Sequence, residues 1–574
     1  MISFLKKERV IILFVGALYI FHWFAKDIRS PYERPIAGDA QAYYSYLPAL
    51  FIYQDLDYEF IETDAKQYYP PGGIKDFIFE APNGEKVNKT FPGVAILYAP
   101  FFFAAHVCAL TLGLPADGFS SVYQVFFDFG LWVYFLFSLI FLRKLLEKLR
   151  FSSKIALFST ILVAFGTNIF FYTVYDQSVT HIFNFFMING MLLALAMWYD
   201  DGKSKWLLIA LMLLALIGIT RPTNILVIGL IFIIFDPKSI IMDVFRSIFS
   251  KKWWIYVVSV LPILAIPFLL WKAQTGNWIV YSYGEEGFDF TDPHFFEFIF
   301  SYTKGWMTYT PIVIPILILG GIALFKISKK KFFYVLGFYV LCIYVFSSWW
   351  CWYYGAGMSQ RVMIDHYVLL AFLLASGLKM IWENKIWRNT YLSFLIILGL
   401  FNIAQAHQIK IGVIQNGSIT QEGYWDSFLV LNQRARVYPR DNWEFVESKQ
   451  ISAPSWQSEV SETAEYSELV SAPMKDIQPG SKLVLSFEAK SISEVEHSRA
   501  VLRLKDKTTK EDIGIPYFLK AFVHKDEWVL MEFLYEPTIV YTDSIKVFFW
   551  NGSTQEKVEF RNVKYETFYS EDYY

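Results

Sequence analysis

A carboxylate and two tyrosines follow the first apolar segment of the chain at helical spacing. Asp39, Tyr43 and Tyr46 stand at positions i, i+4 and i+7, so a helix over this stretch places all three on one face. At the edge of a membrane, such a carboxylate is a candidate general base for a hydroxyl group. The competing interpretation is that Asp39 caps a surface helix and that the tyrosines belong to the interfacial aromatic belt.

A second carboxylate, Asp176, stands at the end of a later apolar segment. Two carboxylates that converge at a water–lipid boundary suit either acid–base catalysis or the binding of a divalent cation. The sequence does not separate these two roles for Asp39 and Asp176, and a helix cap is a third interpretation of Asp176. His181 follows one turn later, and a buried structural histidine is favoured over a ligand because it has no partner at ligand spacing.

Several charged side chains are candidates for binding a phosphate or a sugar headgroup. Arg361 opens an apolar segment, where its guanidinium can fork onto a phosphate or, alternatively, pair with the aspartate four residues later. Lys89 stands where the chain re-enters the interface, so it either binds a lipid phosphate or extends its ammonium group to water. The loop 272–308 is able to fold over a bound headgroup and adds two further candidates, Glu285 and Lys304.

The composition indicates a polytopic membrane protein. Of the 574 residues, 55% are hydrophobic, 20% are aromatic and only 18% are charged, whereas a soluble chain of this length exposes more charge. The formal net charge of −2 argues against a nucleic-acid partner. The three cysteines, Cys108, Cys342 and Cys351, show neither a disulfide framework nor the spacing of a metal site.

Spanning a bilayer takes about 20 apolar residues, and about eleven segments of the chain are predicted to do so. The first segment follows Lys6-Lys7-Glu8-Arg9 and lacks a small-residue cleavage site, so we interpret it as an uncleaved signal anchor with its N-terminus inside. The predicted spans are 10–25, 120–142, 154–173, 180–198, 206–219, 223–235, 253–271, 309–326, 332–350, 362–380 and 391–408.

Basic residues are concentrated in alternate loops, which the positive-inside rule places in the cytoplasm. This assignment is consistent only if the apolar segment 94–112 does not cross, and Pro100 within it favours an irregular interfacial helix. The candidate site residues then all lie on the outer face. The outer segments are 26–119, 174–179, 272–308, 351–361 and everything after 409.

The spans 206–219 and 223–235 are both short, and they are joined by the polar stretch Thr220-Arg221-Pro222-Thr223-Asn224. We expect a hairpin that turns just below the outer surface. Arg221 then faces protein or water, since exposing a guanidinium to lipid is costly.

The composition changes after about residue 410, where alternating apolar and polar residues replace the long apolar runs. Four such stretches, separated by polar turns, predict a β-sandwich at 440–574 after a linker at 411–439. The aromatic strand that ends in Trp550 resembles those of jelly-roll carbohydrate-binding modules. A sandwich that only stabilises the protein and binds no carbohydrate is an interpretation of at least equal weight. The four stretches are 482–489, 500–504, 528–533 and 545–550.

In the order and common sidedness of these motifs, residues 5–410 resemble the C-type membrane glycosyltransferases, the class that includes protein O-mannosyltransferases and the aminoarabinose transferase of lipid A. In that class an acidic residue follows the first span, as Asp39 does here, and a second outer loop carries another, as Asp176 does. A Gly-x-x-x-Arg element before a late span matches 357–361. Lys89 departs from the family pattern, because Thr90-Phe91-Pro92 replaces a Lys-Pro-Pro-like segment.

The resemblance implies transfer of a sugar from a polyprenyl-phosphate donor to a lipid, glycan or protein acceptor on the outer face of the membrane. Asp39 would be the general base, and Arg361 with Lys89 would stabilise the phosphate that leaves. One displacement implies inversion at the anomeric carbon. Asp176 would orient the acceptor or hold a divalent cation, and no other cofactor is implied. The implied substrate-binding residues are Tyr43, Lys89, His181, Glu285, Lys304 and Arg361.

Three alternatives remain at the level of sequence. A lipid or sugar transporter predicts internal repeats and charges at mid-membrane, neither of which the sequence shows. A lipid-linked glycan ligase or polymerase shares the topology and uses diphosphate-linked donors. A non-catalytic glycan sensor leaves Asp39 without chemical work. We expect a multi-pass inner (plasma) membrane protein of the cell envelope, with a cytoplasmic N-terminus and a periplasmic C-terminal domain.

Overall fold

The computed structural model describes residues 2–25, 34–68, 77–81, 84–235, 237–249, 253–284, 286–411, 413–414, 419, 421–431, 444–450, 457–461, 466–473, 482–493, 495, 498–507, 512–519, 526–535, 541–551 and 556–569. The chain divides into two compact units, Met1–Ala406 and His407–Tyr574. The first is helical, whereas the second consists mainly of β-strands. The predicted fold class, a helical polytopic membrane protein with a C-terminal all-β sandwich, is confirmed.

The α-helices of the described residues are α1 Ile2–Ala25, α2 Asp39–Pro48, α3 Phe60–Thr63, α4 Gly93–Leu112, α5 Ser121–Lys148, α6 Ser153–Gly166, α7 Ile169–Val174, α8 His181–Asp201, α9 Ser204–Gly218, α10 Ile228–Ile234, α11 Pro237–Ile248, α12 Trp253–Thr275, α13 Phe295–Phe300, α14 Trp306–Tyr309, α15 Val313–Ile327, α16 Lys329–Ser347, α17 Tyr367–Ile381, α18 Lys385–Lys410 and α19 Gln421–Asp426. The last of these lies inside the predicted linker. A π-helical turn at Ala49–Tyr53 extends α2, and 3₁₀ turns lie at Lys66–Tyr68, Pro222–Val227 and Arg361–His366.

Eight helices of the described residues are long and apolar enough to cross a membrane. The structure differs from the expected spans at four segments, where the apolar helices are shorter, and at Gly93–Leu112, which is long and apolar enough to cross although it was not among the expected spans. Three of the shorter helices, α6, α9 and α15, have only 14 or 15 residues. The fourth segment, 223–235, is divided between a 3₁₀ turn and α10. The eight long helices are Lys7–Ala25, Gly93–Leu112, Ser121–Lys148, His181–Asp201, Trp253–Thr275, Lys329–Ser347, Arg361–Ile381 and Lys385–Lys410.

The segment after the first loop forms one continuous helix, α4, of 20 residues. The predicted interruption at Pro100 is wrong, since the proline lies inside this helix. Aromatic side chains attach α4 to α5: the rings of Tyr98 and Phe127 stack with their centroids 3.7 Å apart, and the ring centroids of Phe102 and Tyr123 are 5.7 Å apart. These contacts pack α4 against α5 on both sides of Pro100 along the helix.

A buried contact between a histidine and an aspartate lies between the first helix and the helices that carry the outer turns. The Nε2 atom of His22 in α1 lies 2.9 Å from a carboxylate oxygen of Asp128 in α5. The Nδ1 atom of the same imidazole is 2.6 Å from the carbonyl oxygen of Val174 at the end of α7. Both side chains are buried, so the contacts of His22 hold α1 beside α5 and the end of α7.

The first unit also contains a small hairpin of two strands, β1 Ile78–Glu80 and β2 Lys86–Asn88. The second unit is a sandwich of two antiparallel sheets. One sheet has the order β5-β10-β7-β8; the other has the order β3-β11-β6-β9, with β4 also paired to β11. These strands are β3 Glu444–Gln450, β4 Gln457–Val460, β5 Val470–Pro473, β6 Lys482–Ser491, β7 Arg499–Asp506, β8 Asp512–Phe518, β9 Val529–Tyr535, β10 Tyr541–Trp550 and β11 Val558–Tyr569.

Alternation along the strands builds the core of the sandwich. In β6, Leu483, Leu485 and Phe487 are fully buried, and in β10 the alternate residues Val547 and Phe549 point into the same core. The ring of Phe487 meets that of Phe549 edge to face, with centroids 4.8 Å apart. All four strands expected from the sequence are present.

Candidate active site

A charge pair joins two parts of the chain that are 322 residues apart. The Nη2 atom of Arg361 donates to Oδ2 of Asp39 at 3.0 Å, and both side chains are partly exposed. Asp39 is the first residue of α2, and the capping residue before it, Gly38, makes no side-chain capping bond. Two alternatives from the sequence are therefore wrong: Asp39 is not the helix cap, and Arg361 pairs with Asp39 rather than with Asp365.

The turn that carries Asp176 lies beside the start of α2. The Oδ1 atom of Asp176 accepts hydrogen bonds from the backbone N–H of Ser178 at 3.1 Å and from its hydroxyl at 2.6 Å. A methyl group added at Gly38 would lie 3.5 Å from Ser178, so the two turns are in contact. Gly38 has a φ of 52°, a conformation that favours glycine. Asp176 does not cap α8, whose capping residue is Thr180.

Arg361 is held in place by a loop with little freedom. Gly357 has a φ of 119°, and a side chain there would overlap the hydroxyl oxygen of Tyr172. That oxygen accepts a hydrogen bond of 2.9 Å from the backbone N–H of Met358. The Nζ atom of Lys304 donates to the carbonyl oxygen of Gly357, so the loop is fixed from two sides just before Arg361.

Lys304 lies inside the site but points at the backbone. Its side chain is only 2% exposed. Burial lowers the pKa of Lys304 well below its ordinary value, and the nearby charge of Arg361 lowers it further, whereas Asp176 acts in the opposite direction. Lys304 therefore lies within electrostatic reach of both Arg361 and Asp176, and its binding role toward a substrate stays a prediction.

Two tyrosines, Tyr43 and Tyr283, lie within electrostatic reach of Asp39. Burial raises the pKa of Tyr43 above its ordinary value, and the charge of Asp39 raises it further. Burial also raises the pKa of Tyr283, on which Asp39 acts in the same direction. Both hydroxyls thus stay protonated and able to donate a hydrogen bond. Tyr46, on the same face of α2, instead donates to the carbonyl oxygen of Thr90 at 2.7 Å.

Lys89 lies on the far side of Tyr283. Its Nζ atom pairs with the carboxylate of Glu286 and stands 5.4 Å from the centroid of the Tyr283 ring. The hydroxyl of Ser282 donates to the backbone carbonyl of Lys89 at 2.9 Å, which ties the loop 272–308 to the first outer loop. Glu285, the carboxylate predicted in this loop, lies outside the described residues. Its neighbour Glu286 supplies the observed contact.

His181 is fully buried, as the structural interpretation of the sequence expects. Its Nδ1 atom lies 2.8 Å from Oδ1 of Asp365. The other carboxylate oxygen accepts from the side-chain amides of Asn224 at 2.7 Å and Asn184 at 3.3 Å. On its opposite edge, His181 meets a guanidinium nitrogen of Arg221, 3.3 Å from Nε2.

The expectation that Arg221 faces protein is confirmed by this contact, but the sequence did not assign Arg221 to the site. The available signal was a polar run of five residues between two apolar segments. Its partners are distant along the chain, which is why spacing alone could not reveal them.

The described residues contain no group of three or more His, Cys, Asp or Glu side chains able to hold a metal ion. Asp39 is paired with Arg361, and Asp176 accepts from Ser178. One or two carboxylates, completed by waters and substrate phosphates, are a common way to hold Mg²⁺, so the binding of a divalent cation by Asp39 and Asp176 stays a prediction.

No family model and no curated protein matches this chain. Among solved structures, the apo oligosaccharyltransferase of Archaeoglobus fulgidus is similar with a TM-score of 0.38 and 10% identity, covering 72% of this chain and 57% of that one. A Family 16 carbohydrate-binding module is similar with a TM-score of 0.15 and 8% identity, covering 19% of this chain and 73% of that one. These likenesses are too weak to identify a family, so the functional argument rests on the site.

Proposed function

We propose that the protein is a membrane glycosyltransferase that moves a sugar from a polyprenyl-phosphate donor to an acceptor on the outer face of the membrane. The observation that carries the proposal is the contact between Asp39 and Arg361. In this proposal Asp39 is the base for the acceptor, and Arg361 beside it is the cation for the phosphate. The described part of the chain also contains eight apolar helices long enough to cross a membrane, which suits a substrate with a lipid tail.

The reaction is a single displacement at the anomeric carbon. The hydroxyl oxygen of the acceptor forms a bond to this carbon while the bond from the carbon to the phosphate oxygen breaks. The phosphate oxygen keeps the electron pair, and the carboxylate of Asp39 takes the proton of the hydroxyl. The products are the glycosylated acceptor and the polyprenyl phosphate. Attack from the side opposite the leaving group inverts the anomeric configuration.

Donor binding changes the partner of Arg361. In the structure the guanidinium is paired with Asp39, and a donor phosphate offers it a second anion. Once Arg361 forks onto the phosphate, Asp39 is released to accept a proton. The ammonium group of Lys89 leaves its pairing with Glu286 and neutralises the phosphate of the leaving group.

The remaining site residues position the acceptor. Tyr43 is able to donate a hydrogen bond to a sugar oxygen, and Asp176, which accepts from Ser178 in the turn that meets Gly38, orients the acceptor. His181 acts through its neighbours rather than on the substrate, because it is fully buried. The sandwich at 444–569 is assigned no part in the chemistry.

The test is sugar transfer by membranes that contain the wild-type protein, supplied separately with radiolabelled polyprenyl-phosphate sugars and polyprenyl-diphosphate sugars. The proposal expects label to move from the monophosphate donors, with an inverted linkage in the product. Transfer from diphosphate donors alone would identify a glycan ligase or polymerase. If neither donor is consumed and labelled lipid instead changes leaflet, the protein is a transporter and the proposal fails.

A further inference from the structure

Arg221 ends the connection between two apolar segments and is fixed from both sides. Its backbone N–H donates to the carbonyl oxygen of Ile217 at 3.0 Å, and its carbonyl oxygen accepts from the backbone N–H of Asn224 at 2.9 Å. Its Nη1 atom lies 3.3 Å from Nε2 of His181. The Arg221 side chain is only partly buried, whereas its backbone is held by these two hydrogen bonds.

Asp365 determines which nitrogen of His181 carries the proton. The carboxylate accepts at 2.8 Å from Nδ1, so this nitrogen bears the hydrogen in the neutral ring and Nε2 is left as an acceptor. Nε2 is therefore suited to receive an N–H of Arg221. Asp365 is itself fixed by two amides, from Asn184 and Asn224. Together, the contacts of Asp365 and His181 fix the orientation of the Arg221 guanidinium.

The charge of Arg221 differs from that of Arg361 in how it is compensated. Arg361 is directly paired with Asp39. Within the residues that the structure describes, no carboxylate lies within ion-pair distance of Arg221, whose contact is an imidazole. The carboxylate of Asp365 is separated from Arg221 by that ring. A guanidinium without a directly paired anion beside the site is suited to bind one.

The positive charges of Arg221 and Arg361 act on the same tyrosine side chains. Both guanidinium groups act on the hydroxyl of Tyr43, which also faces Asp39. Both act on Tyr354 as well, and Arg221 acts on Tyr283. Arg361 and Asp365 stand on the same 3₁₀ turn, so the contacts of His181 with Asp365 and with Arg221 place Arg221 near the turn that carries Arg361.

We propose that Arg221 is a second binding group for the phosphoryl group of the donor, oriented by the His181–Asp365 pair. The inference rests on the proposed function in one respect, since it takes the phosphoryl group to be that of the lipid-linked donor. His181 and Asp365 are positioning residues in this proposal. Arg221 holds the phosphate from the start, and Arg361 joins it when Asp39 is released.

The test measures binding without transfer, using the full-length protein in lipid nanodiscs. The probes are radiolabelled polyprenyl phosphate, uncharged polyprenol of the same length, and inorganic phosphate as a competitor. The variants are Arg221→Gln and Arg221→Lys. Arg246→Gln is the matched control, because this arginine is 73% exposed and lies outside the site.

The proposal expects Arg221→Gln to weaken the binding of polyprenyl phosphate by roughly tenfold to a hundredfold, the range for a lost hydrogen bond to a charged group. Binding of polyprenol should be unchanged, Arg221→Lys should be intermediate, and Arg246→Gln should match the wild type. Competition by inorganic phosphate only at far higher concentration would identify the lipid headgroup as the ligand. Equal competition would identify a soluble phosphoryl compound bound by the same arginine.

Two results would overturn the proposal. The first is wild-type affinity of Arg221→Gln for polyprenyl phosphate. The second is an equal loss of polyprenol binding, which would make Arg221 a structural residue. A protein that binds polyprenyl phosphate through Arg221 but transfers no sugar would contradict the proposed function and leave this inference standing.

A double-mutant cycle tests the positioning role. Asp365→Asn reverses the proton preference of the ring, so it should weaken polyprenyl phosphate binding when Arg221 is present. In the Arg221→Gln background the same change should have no further effect on this affinity, because the oriented group is gone. Additive losses in the double variant would show that Asp365 has only a structural role.

Discussion

The Nη2 atom of Arg361 lies 3.0 Å from Oδ2 of Asp39, so in this structure the proposed base and the proposed phosphate ligand neutralise each other. Such a pair is expected to exchange partners when a phosphate arrives, since a guanidinium binds carboxylate and phosphate with the same geometry. The pairing thus makes base activation depend on donor binding.

Two replacements of Arg361 should distinguish the contribution of its positive charge to transfer from that of its two-pronged hydrogen bonding. Arg361→Gln is expected to lower kcat/KM for the donor by about 10²-fold or more, the size of an effect on charge in the transition state. Arg361→Lys should recover part of this loss, because lysine keeps the charge without the fork. The measurement is steady-state transfer at several donor concentrations. Equal activity of both variants and the wild type would remove Arg361 from the site.

Gly357 should tolerate no side chain. Gly357→Ala would place a methyl group on the hydroxyl of Tyr172 and force a φ of 119° on alanine, which displaces the loop before Arg361. We expect transfer activity to fall at least tenfold, by the sensitivity of catalysis to small misplacements. Gly337→Ala is the control, because nothing lies within 4 Å of the added methyl there. Full activity of Gly357→Ala would show that the loop does not position Arg361.

Lys304 should leave a signature in the pH dependence of stability. Because burial lowers its pKa in the folded state, the unfolded chain binds more protons at this residue between the folded and unfolded pKa values. The stability of the wild type should therefore rise with pH toward about 10, relative to Lys304→Met. Thermal unfolding of both proteins in detergent between neutral pH and that limit measures the difference. A difference that does not change with pH would contradict the burial of a titrating amine.

The sandwich should depend on its aromatic core. Phe487 is fully buried and contacts three aromatic rings, so Phe487→Ala is expected to destabilise this unit by about 3–5 kcal/mol. Leu530→Ala, at a side chain that is 55% exposed, is the control and should change little. The full chain is exposed to increasing denaturant, and cleavage by a protease within 444–569 is measured at each concentration. The denaturant midpoint of this cleavage reports the stability of the sandwich. Equal stability of the two variants would contradict this core.

Local patterns predicted those parts of the fold that depend on near neighbours. The helix at Asp39 follows from residues four apart, and strand β6 follows from alternation over a few residues. The uninterrupted helix at Pro100 was not predicted, because its aromatic contacts with a different helix cannot be read from the local sequence. Local rules describe what proline costs but not which distant residues pack against the helix.

The site was predictable in its carboxylates and in one arginine, but not in their pairing. Asp39, Asp176 and Arg361 were expected on one side of the membrane from the order of the spans. The contact of His181 with Asp365 bridges 184 residues, and that of His181 with Arg221 bridges 40. No periodicity in the sequence encodes such contacts, so the role of Arg221 emerged only from the structure.

The most direct test of the central claim compares Asp39→Asn with the wild type for both sugar transfer and polyprenyl phosphate binding. The substitution keeps the shape of the side chain and removes the base, and Glu59→Gln serves as the control, an exposed residue of the same loop. We predict that transfer falls by about 10²-fold or more, while polyprenyl phosphate binds at least as tightly because Arg361 has lost its competing carboxylate. Unchanged transfer by Asp39→Asn would contradict the assignment of Asp39 as the base.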